Sequence, residues 1–254
     1  EIKKLVKPFK LLNSPLYRLA LYKTEEGNYL FVDFHHIMAD GTSETIIFDD
    51  MQRIYDGKTV KKEKYTGYEL ALDEEKNRAS DMYDKAREHY DSLLSGCDAD
   101  CIPAKCPESQ AAESGSITEK LGIDLNAVNS FCEARKLTKN AFFNAVFAVT
   151  FSRFMNREQV VYTTIYNGRN DSRLDRAVGM LVKTLPVMVK TGGERTVSAI
   201  ISDTKQQLLD SMANDIYSFA DISNAYGIKA DIIFVYQGDN FTFNSLCGEK
   251  AEFI

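Results

Sequence analysis

The chain has 254 residues and a formal charge of −6, from 31 basic and 37 acidic side chains. Hydrophobic residues make up 44% of it and charged residues 27%, which is typical of a folded globular protein and excludes a disordered or fibrous one. The acidic balance argues against non-specific nucleic-acid binding, because that binding needs a broad basic surface to release phosphate counterions. The length suits one large domain or two lobes.

No stretch reaches the roughly 18 apolar residues that a membrane-spanning helix needs, and residues 1–4 carry no apolar core of a secretion signal. We therefore expect a cytoplasmic protein without a membrane partner. Among five cysteines, Cys97, Cys101 and Cys106 form a cluster, but their spacing does not match the paired cysteines of structural zinc sites. Free thiols are favoured over zinc, even with His89 as a further ligand, and no metal is expected.

Residues 16–22 and 29–34 have the pattern of two strands of a hairpin, and His35 and His36 follow the second strand directly. Thr42 and Ser43 are good helix caps and predict a helix that ends at Gly57. The histidine pair is therefore expected in a loop between a strand and a helix, where a scaffold can hold polar side chains at a cleft.

Apolar spacing predicts a long helix over residues 74–94, with His89 exposed on it, followed by an irregular linker at 97–115. Helices are predicted after Asp124 and Asn140 and from Val197. The helix after Asn140 carries a stripe expected in the core: Phe143, Phe147, Phe151 and Phe154. Strands are predicted at 159–166, 187–190 and 231–236. Helices and strands alternate without a strict βαβ period, which predicts an α/β fold with a mixed sheet.

Residues 35–41 read His-His-Ile-Met-Ala-Asp-Gly, the pattern HHxxxDG. An imidazole with an ordinary pKa of about 6.5 can take a proton from a nucleophile near neutral pH. Gly41 allows close approach of a substrate, and Asp40 is suited to orient the loop by pairing with a cation. Two other interpretations stay open. The histidines could serve only to hydrogen-bond the backbone of a turn, or they could bind a metal ion. Adjacent histidines at a strand end point to opposite faces, so they cannot easily share one ion.

With these residues, the chain resembles the condensation domains of non-ribosomal peptide synthetases, which are chloramphenicol-acetyltransferase-like acyltransferases with the signature HHxxxDG. Further segments are similar to family motifs in family order: 7–11 with 14–16 to RPFDL…GPLLR, 65–71 to YxDYAxW, 167–169 with 178–186 to GR…VGxFVNTLP, 217–219 to YPF, and 232–237 to VMFVLQ. Lys183 stands where the family has asparagine, and Leu181 where it has an aromatic residue. The family's RDxSRNP segment is not visible before Ile232, and its early motifs would lie upstream.

The resemblance implies a two-lobed sandwich with mixed sheets and flanking helices, of which this chain covers little more than half. Residues 1–96 would be the last part of the N-terminal lobe, which carries the HHxxxDG loop. Residues 97–115 would form a linker, and residues 116–254 would be the first part of the C-terminal lobe.

The resemblance also implies roles for the residues of the site. His36 would be catalytic, as a general base or as a positioner of the amine and the tetrahedral intermediate, with His35 in support. Asp40 would pair across the lobes with Arg169, and the Gly41 N–H would face the developing oxyanion.

The implied reaction joins two thioester-tethered substrates: the amine of the acceptor attacks the donor thioester and forms a peptide bond. The partners would be donor and acceptor peptidyl carrier protein domains, which deliver 4'-phosphopantetheine, beside an adenylation domain. The condensation domain itself would bind no cofactor. Three alternatives stay open. They are a stand-alone acyltransferase that uses coenzyme A, a non-catalytic fragment that docks a carrier protein, and an epimerization domain, which shares HHxxxDG.

Overall fold

The computed structural model describes residues 4–98, 115–238 and 245–251, which form two compact units. The first unit takes its described residues from Glu1–Lys76, Asn167–Val182 and Gln237–Ile254. The second unit takes them from Asn77–Tyr166 and Lys183–Tyr236. The predicted linker lies for most of its length outside the described residues, with Cys101 and Cys106, and the predicted lobe bounds stay a prediction.

The described elements follow one another as strands and helices of ordinary length, apart from three strands of two residues at the end. In chain order they are β1 (Tyr17–Lys23), β2 (Asn28–Phe34), α1 (Gly41–Tyr55), α2 (Gly67–Asn77), α3 (Asp81–Leu94), α4 (Leu125–Ala134), α5 (Lys139–Met155), β3 (Gln159–Tyr166), a 3₁₀ turn (Ser172–Leu174), β4 (Lys183–Lys190), α6 (Val197–Ala213), α7 (Phe219–Tyr226), β5 (Ile233–Phe234), β6 (Ser245–Leu246) and β7 (Glu249–Lys250).

In the first unit, β1 and β2 form the predicted antiparallel hairpin, with Tyr17 opposite Phe34 and Lys23 opposite Asn28. A small apolar cluster of Leu174, Ala177 and Leu181 lies in the same unit. Because these three residues belong to the 167–182 segment, that segment has a buried apolar anchor of its own, against which Tyr65 and Leu70 pack. The segment carries Arg169, so its anchoring bears on the site described below.

In the second unit, the sheet has the order β4-β3-β5, with β3 antiparallel to β4 and parallel to β5. The mixed sheet is as predicted. β3 is the central strand and is buried over five consecutive residues, as expected for a strand covered on both faces. Helices α5 and α6 pack on each other and on the sheet. The buried hydroxyl of Tyr162 donates to the carbonyl of Asn144 at 2.9 Å, so this hydroxyl has a hydrogen-bond partner within the core.

The predicted long helix over 74–94 is two helices, and this prediction was wrong in its N-terminal part. The chain turns between α2 and α3, where the Ser80 N–H donates to the carbonyl of Asn77 at 3.1 Å. The start of α2 has a capping box. The Glu69 N–H donates to the Thr66 hydroxyl at 3.1 Å, and the Thr66 N–H donates to the Glu69 carboxylate at 2.8 Å. Residues 73–78 contain no apolar side chain, so apolar spacing does not show where α2 ends and α3 begins.

Two smaller corrections concern α5 and β5. The N-cap of α5 is Thr138, not Asn140, and the phenylalanine stripe is only partly core: Phe151 is buried, whereas Phe154 in the last turn is 76% exposed. Of the predicted strand 231–236, only β5 pairs with β3. A residue pattern marks the face of an element but not the length over which a neighbour covers it.

His89 on α3 is not the exposed residue that the sequence suggested. Its Nε2 is buried without a hydrogen-bond partner. Burial lowers the pKa of His89 below its ordinary 6.5, and the charge of Asp210 opposes that shift only in part. Below pH 6.5 the unfolded chain therefore binds this proton more readily than the folded chain, and stability falls as the pH falls.

We therefore expect the free energy of unfolding to decrease between about pH 7.5 and 5.5 more steeply for the natural chain than for a His89→Gln variant. The difference in slope is at most about 1.4 kcal/mol per pH unit, the limit for one proton. Urea unfolding at a series of pH values measures both slopes. Parallel slopes for the two proteins would show that His89 is solvated in the folded state.

Candidate active site

The HHxxxDG residues form a short loop of the first unit that is tied at both ends. At its start, the His35 N–H donates to the carbonyl of Leu16 at 2.9 Å, which extends the β1–β2 ladder by one residue. A tight turn follows, closed by the Met38 N–H donating to the carbonyl of His35 at 3.0 Å. At its end, Asp40 is the N-cap of α1. The loop is therefore short and anchored, as expected for a segment that must hold a side chain in place.

The two histidines make different hydrogen bonds, which give them different tautomers. Nδ1 of the exposed His36 lies 2.8 Å from the carbonyl oxygen of Ala39. A carbonyl only accepts, so Nδ1 carries the proton and Nε2 of the neutral ring keeps its lone pair. In His35, Nδ1 accepts the Ile37 N–H at 3.1 Å, so the proton of its neutral ring is on Nε2. Only His36 combines solvent exposure with a nitrogen left free to accept a proton.

Asp40 and Arg169 form a buried, bidentate ion pair. Arg169 donates from Nη1 to Oδ2 at 2.9 Å and from Nη2 to Oδ1 at 3.0 Å. The side chains are 4% and 0% exposed for Arg169 and Asp40. Oδ1 also accepts the Ser43 N–H at 2.8 Å, and Oδ2 accepts the Leu181 N–H at 3.1 Å. One carboxylate therefore caps α1 and fixes the 167–182 segment to it.

Burial alone would raise the pKa of Asp40, but the hydrogen bonds from Arg169 and from the amide and hydroxyl of Ser43, with the charge of Arg169, hold the pKa below its ordinary value. The carboxyl is therefore ionised near neutral pH. Its oxygens are occupied by four N–H donors besides the Ser43 hydroxyl. A carboxylate with its lone pairs filled in this way is suited to hold the loop and not to relay a proton.

Ser43 is a part of this site that the sequence did not reveal, since its pattern indicates only a helix cap. Its buried hydroxyl lies 2.8 Å from Oδ1 of Asp40 and 2.9 Å from the carbonyl of Gly179, two acceptors for its one proton. The same oxygen accepts from the Gly179 N–H at 3.1 Å and from Arg169 at 3.2 Å. The spacing Asp40-x-x-Ser43 is a helix-start pattern, but the contacts with residue 179 are too distant in sequence to be inferred from it.

Gly168 allows the 167–169 turn to approach Leu181 closely. Its φ is +67°, and a Cβ placed on it would lie 1.9 Å from the carbonyl oxygen of Leu181. Only glycine fits, because any side chain would overlap with backbone. This close approach places Arg169 next to the residue whose N–H also binds Asp40.

We expect Gly168→Ala to destabilise the chain by more than the roughly 1–2 kcal/mol that a left-handed backbone alone costs a non-glycine residue. Gly57→Ala is the matched control, since Gly57 has φ +69° but nothing lies within 4 Å of the position that a Cβ would take there. Urea unfolding of both variants separates the two effects. Equal losses would show that the contact with Leu181 costs nothing.

The remaining predicted positions are placed as follows. Gly41 is the first residue of α1, where the N–H groups have no partner within the helix. Asp40 and Arg169 belong to the same compact unit, and the expectation that they pair across the two lobes stays a prediction. Lys183, the departure from the family pattern, belongs to the second unit and pairs with Asp215 at 3.6 Å.

Other site types find no support in the part of the chain that the structure describes. There, no group of three or more His, Cys, Asp or Glu side chains is arranged to hold a metal ion. Cys97, Cys132 and Cys247 carry free thiols. Within the same ranges, no helix has the length and apolar character needed to cross a membrane.

Comparison with known proteins identifies the family of the chain. The model of the Condensation domain family matches residues 1–246. Tyrocidine synthase 2 from Brevibacillus parabrevis is 26% identical over 231 residues, which are 89% of this chain and 6% of the synthase. The chain thus spans only a small part of that relative.

The fold has close counterparts among solved structures. The first condensation domain of the calcium-dependent antibiotic synthetase, in complex with a substrate analogue, superimposes with a TM-score of 0.71 at 19% identity, covering 92% of this chain and 56% of that domain. The epimerization domain from the third module of tyrocidine synthetase B gives a TM-score of 0.68 at 17% identity, covering 88% of this chain and 56% of that one. These matches confirm the predicted α/β fold class. By the family match across nearly its whole length, the chain belongs to the condensation domain family and spans little more than half of a solved member.

Proposed function

We propose that this chain is part of a domain that forms an amide bond between an acyl or aminoacyl thioester and an amine, both held on peptidyl carrier proteins. The catalytic residue is His36, with Asp40, Arg169 and His35 as supporting residues. The observation that carries this proposal is the state of His36: an exposed imidazole whose Nδ1–H is engaged by Ala39, which leaves Nε2 free to accept.

The chemistry that we propose from this geometry uses the imidazole, one backbone N–H and the two substrates. The acceptor amine attacks the donor thioester carbonyl and forms the C–N bond, while Nε2 accepts or holds the amine proton. The tetrahedral intermediate collapses, the C–S bond breaks, and the sulfur leaves with a proton returned from the imidazole. The first-turn N–H of Gly41, at the positive end of α1, is suited to stabilise the intermediate's oxyanion.

Carrier-bound substrates are favoured over free coenzyme A because the matched relative is a synthase of which this chain is 6%, so most of that protein consists of other parts. A donor and an acceptor carrier domain, each with 4'-phosphopantetheine, and an adjoining adenylation domain are the partners we propose, in the cytoplasm. No cofactor is assigned to this chain itself.

The test offers the full-length protein two pairs of substrates: carrier proteins loaded with donor and acceptor, and the same donor on coenzyme A with a free amine. We expect the coupled product to appear on the acceptor carrier, detected by mass spectrometry of the intact carrier. Product from the coenzyme A pair alone would replace the proposal by a stand-alone acyltransferase. Inversion of the α-carbon without coupling would indicate an epimerization domain.

A further inference from the structure

Three side chains that lead to the histidine loop, those of Asp33, Arg18 and Phe9, have no role in the chemistry described above. Arg18 on β1 lies opposite Asp33 on β2 in the hairpin register and donates to its carboxylate at 2.6 Å. The guanidinium carbon of Arg18 lies 3.7 Å from the centre of the Phe9 ring. The centre of the Phe9 ring lies 5.7 Å from the centre of the His35 ring, and the two ring planes make an angle of 81°. The stack Asp33–Arg18–Phe9–His35 therefore ends on the residue next to His36.

Arg18 also fixes the segment that carries Phe9. It donates to the carbonyl of Lys7 at 2.7 Å and to the carbonyl of Pro8 at 3.0 Å. A planar guanidinium can reach two carbonyls, a carboxylate and a ring face together, which a lysine ammonium cannot do. The irregular segment 7–9 is therefore tied to the hairpin by one side chain, which holds Phe9 against His35.

His35 transmits this placement to the loop. Nδ1 of His35 accepts the Ile37 N–H, and Ile37 lies within the turn that the Met38 N–H closes on the carbonyl of His35. If the His35 ring swings out, the Ile37 amide loses its acceptor and the turn loses an anchor inside the loop. The position of His36 thus depends on the ring of His35, and that ring is held by Phe9.

We propose that Phe9 and Arg18 are positioning residues that act on His36 through His35. This inference rests on the proposed function for its effect on turnover, but its structural part can be measured without turnover. The clamp, defined as Phe9 and Arg18, keeps His35 in the conformation that accepts the Ile37 N–H.

The experiment measures the rate at which diethyl pyrocarbonate modifies each histidine of the full-length protein, with tandem mass spectrometry to separate His35 from His36. The variants are Phe9→Leu and Arg18→Lys. We expect modification of His35 to be faster by about two- to fivefold, which is the effect of losing one cation–π contact at a partly exposed site. Phe9→Tyr, which keeps the ring, should restore the natural rate, and His89 should react as in the natural protein.

Arg135→Lys is the matched control, because it alters a similar contact, 3.9 Å above Phe131, in the other unit. It should leave the His35 rate unchanged. The clamp variants should also lower kcat with little change in KM, since a misplaced His36 weakens the transition state more than substrate binding. An unchanged His35 rate in both Phe9→Leu and Arg18→Lys would overturn the proposal. Failure of the natural protein to form amides would instead overturn the proposed function and leave the modification result valid.

Discussion

Asp40→Asn should destabilise the chain by about 3–5 kcal/mol, since it leaves the buried guanidinium of Arg169 without its counter-charge. That is a large part of the 5–15 kcal/mol by which a typical domain is stable. Asparagine has nearly the same shape and still offers one oxygen to cap α1, so the loss reports mainly the missing charge. The measurement is the free energy of unfolding of the complete domain in urea.

A double-variant cycle with Arg169→Met sharpens this test. The variant with both changes should be more stable than the sum of the single losses predicts, because it leaves no unpaired charge in the interior. Arg87→Met is the control, since the pair of Arg87 with Asp84 is exposed on both sides, and we expect no resolvable change. Strict additivity would mean that Asp40 and Arg169 act independently.

The contribution of the Asp40–Arg169 pair to stability should depend on pH in a definite direction. The folded pKa of Asp40 lies below its ordinary value of 3.8, so the pair contributes in full above that pH and its contribution is lost as the pH falls through the folded value. Acid should therefore destabilise the natural domain more than Asp40→Asn in this window. Unchanged stability with abolished turnover in Asp40→Asn would contradict the structural role and favour a chemical one.

His36→Ala should lower the rate of amide formation by about 10²- to 10⁴-fold, the usual effect of removing a general acid–base group. Stability should change little, because the His36 ring is exposed and its hydrogen bond to Ala39 is local. The two variants therefore differ in what they change. Asp40→Asn mainly lowers the free energy of unfolding, whereas His36→Ala lowers the rate of amide formation and leaves stability nearly unchanged.

Free imidazole separates the two roles proposed for His36. Because the side chain is exposed, an added imidazole can enter the space left by alanine. Partial recovery of the rate, rising with imidazole concentration, is expected for a general base. If the residue only positions the amine, a freely diffusing imidazole would not restore the rate.

The local parts of the fold were predictable because local pattern determines them. Alternation predicted β2, and strand-favouring residue content predicted β3, each to within a residue; the α/β class followed from the order of the elements. The break between α2 and α3 was missed because residues 73–78 are all polar or charged, so they offer no apolar spacing that could mark the end of one helix and the start of the next. The capping box of Thr66 and Glu69 was a readable signal of where α2 starts.

The site was predictable only in part, since its decisive contacts join residues far apart in the chain. The pairing of Asp40 with Arg169 was predicted from a family resemblance and not from spacing, and the assignment of the two residues to different lobes stays a prediction. The contacts of Ser43 and of the Leu181 N–H with the pair could not be inferred. A serine at a helix start indicates only a cap, and every residue except proline has a backbone N–H, so neither residue type shows which distant group it binds. The different tautomers of His35 and His36 likewise depend on the three-dimensional course of the loop.

The most direct test of the central claim is single-turnover amide formation between donor- and acceptor-loaded carrier proteins, with the natural full-length protein and its His36→Ala variant side by side. We expect product on the acceptor carrier with the natural protein, and a rate lower by at least about a hundredfold with the variant. Equal rates for the two proteins would contradict the assignment of His36 as the catalytic residue.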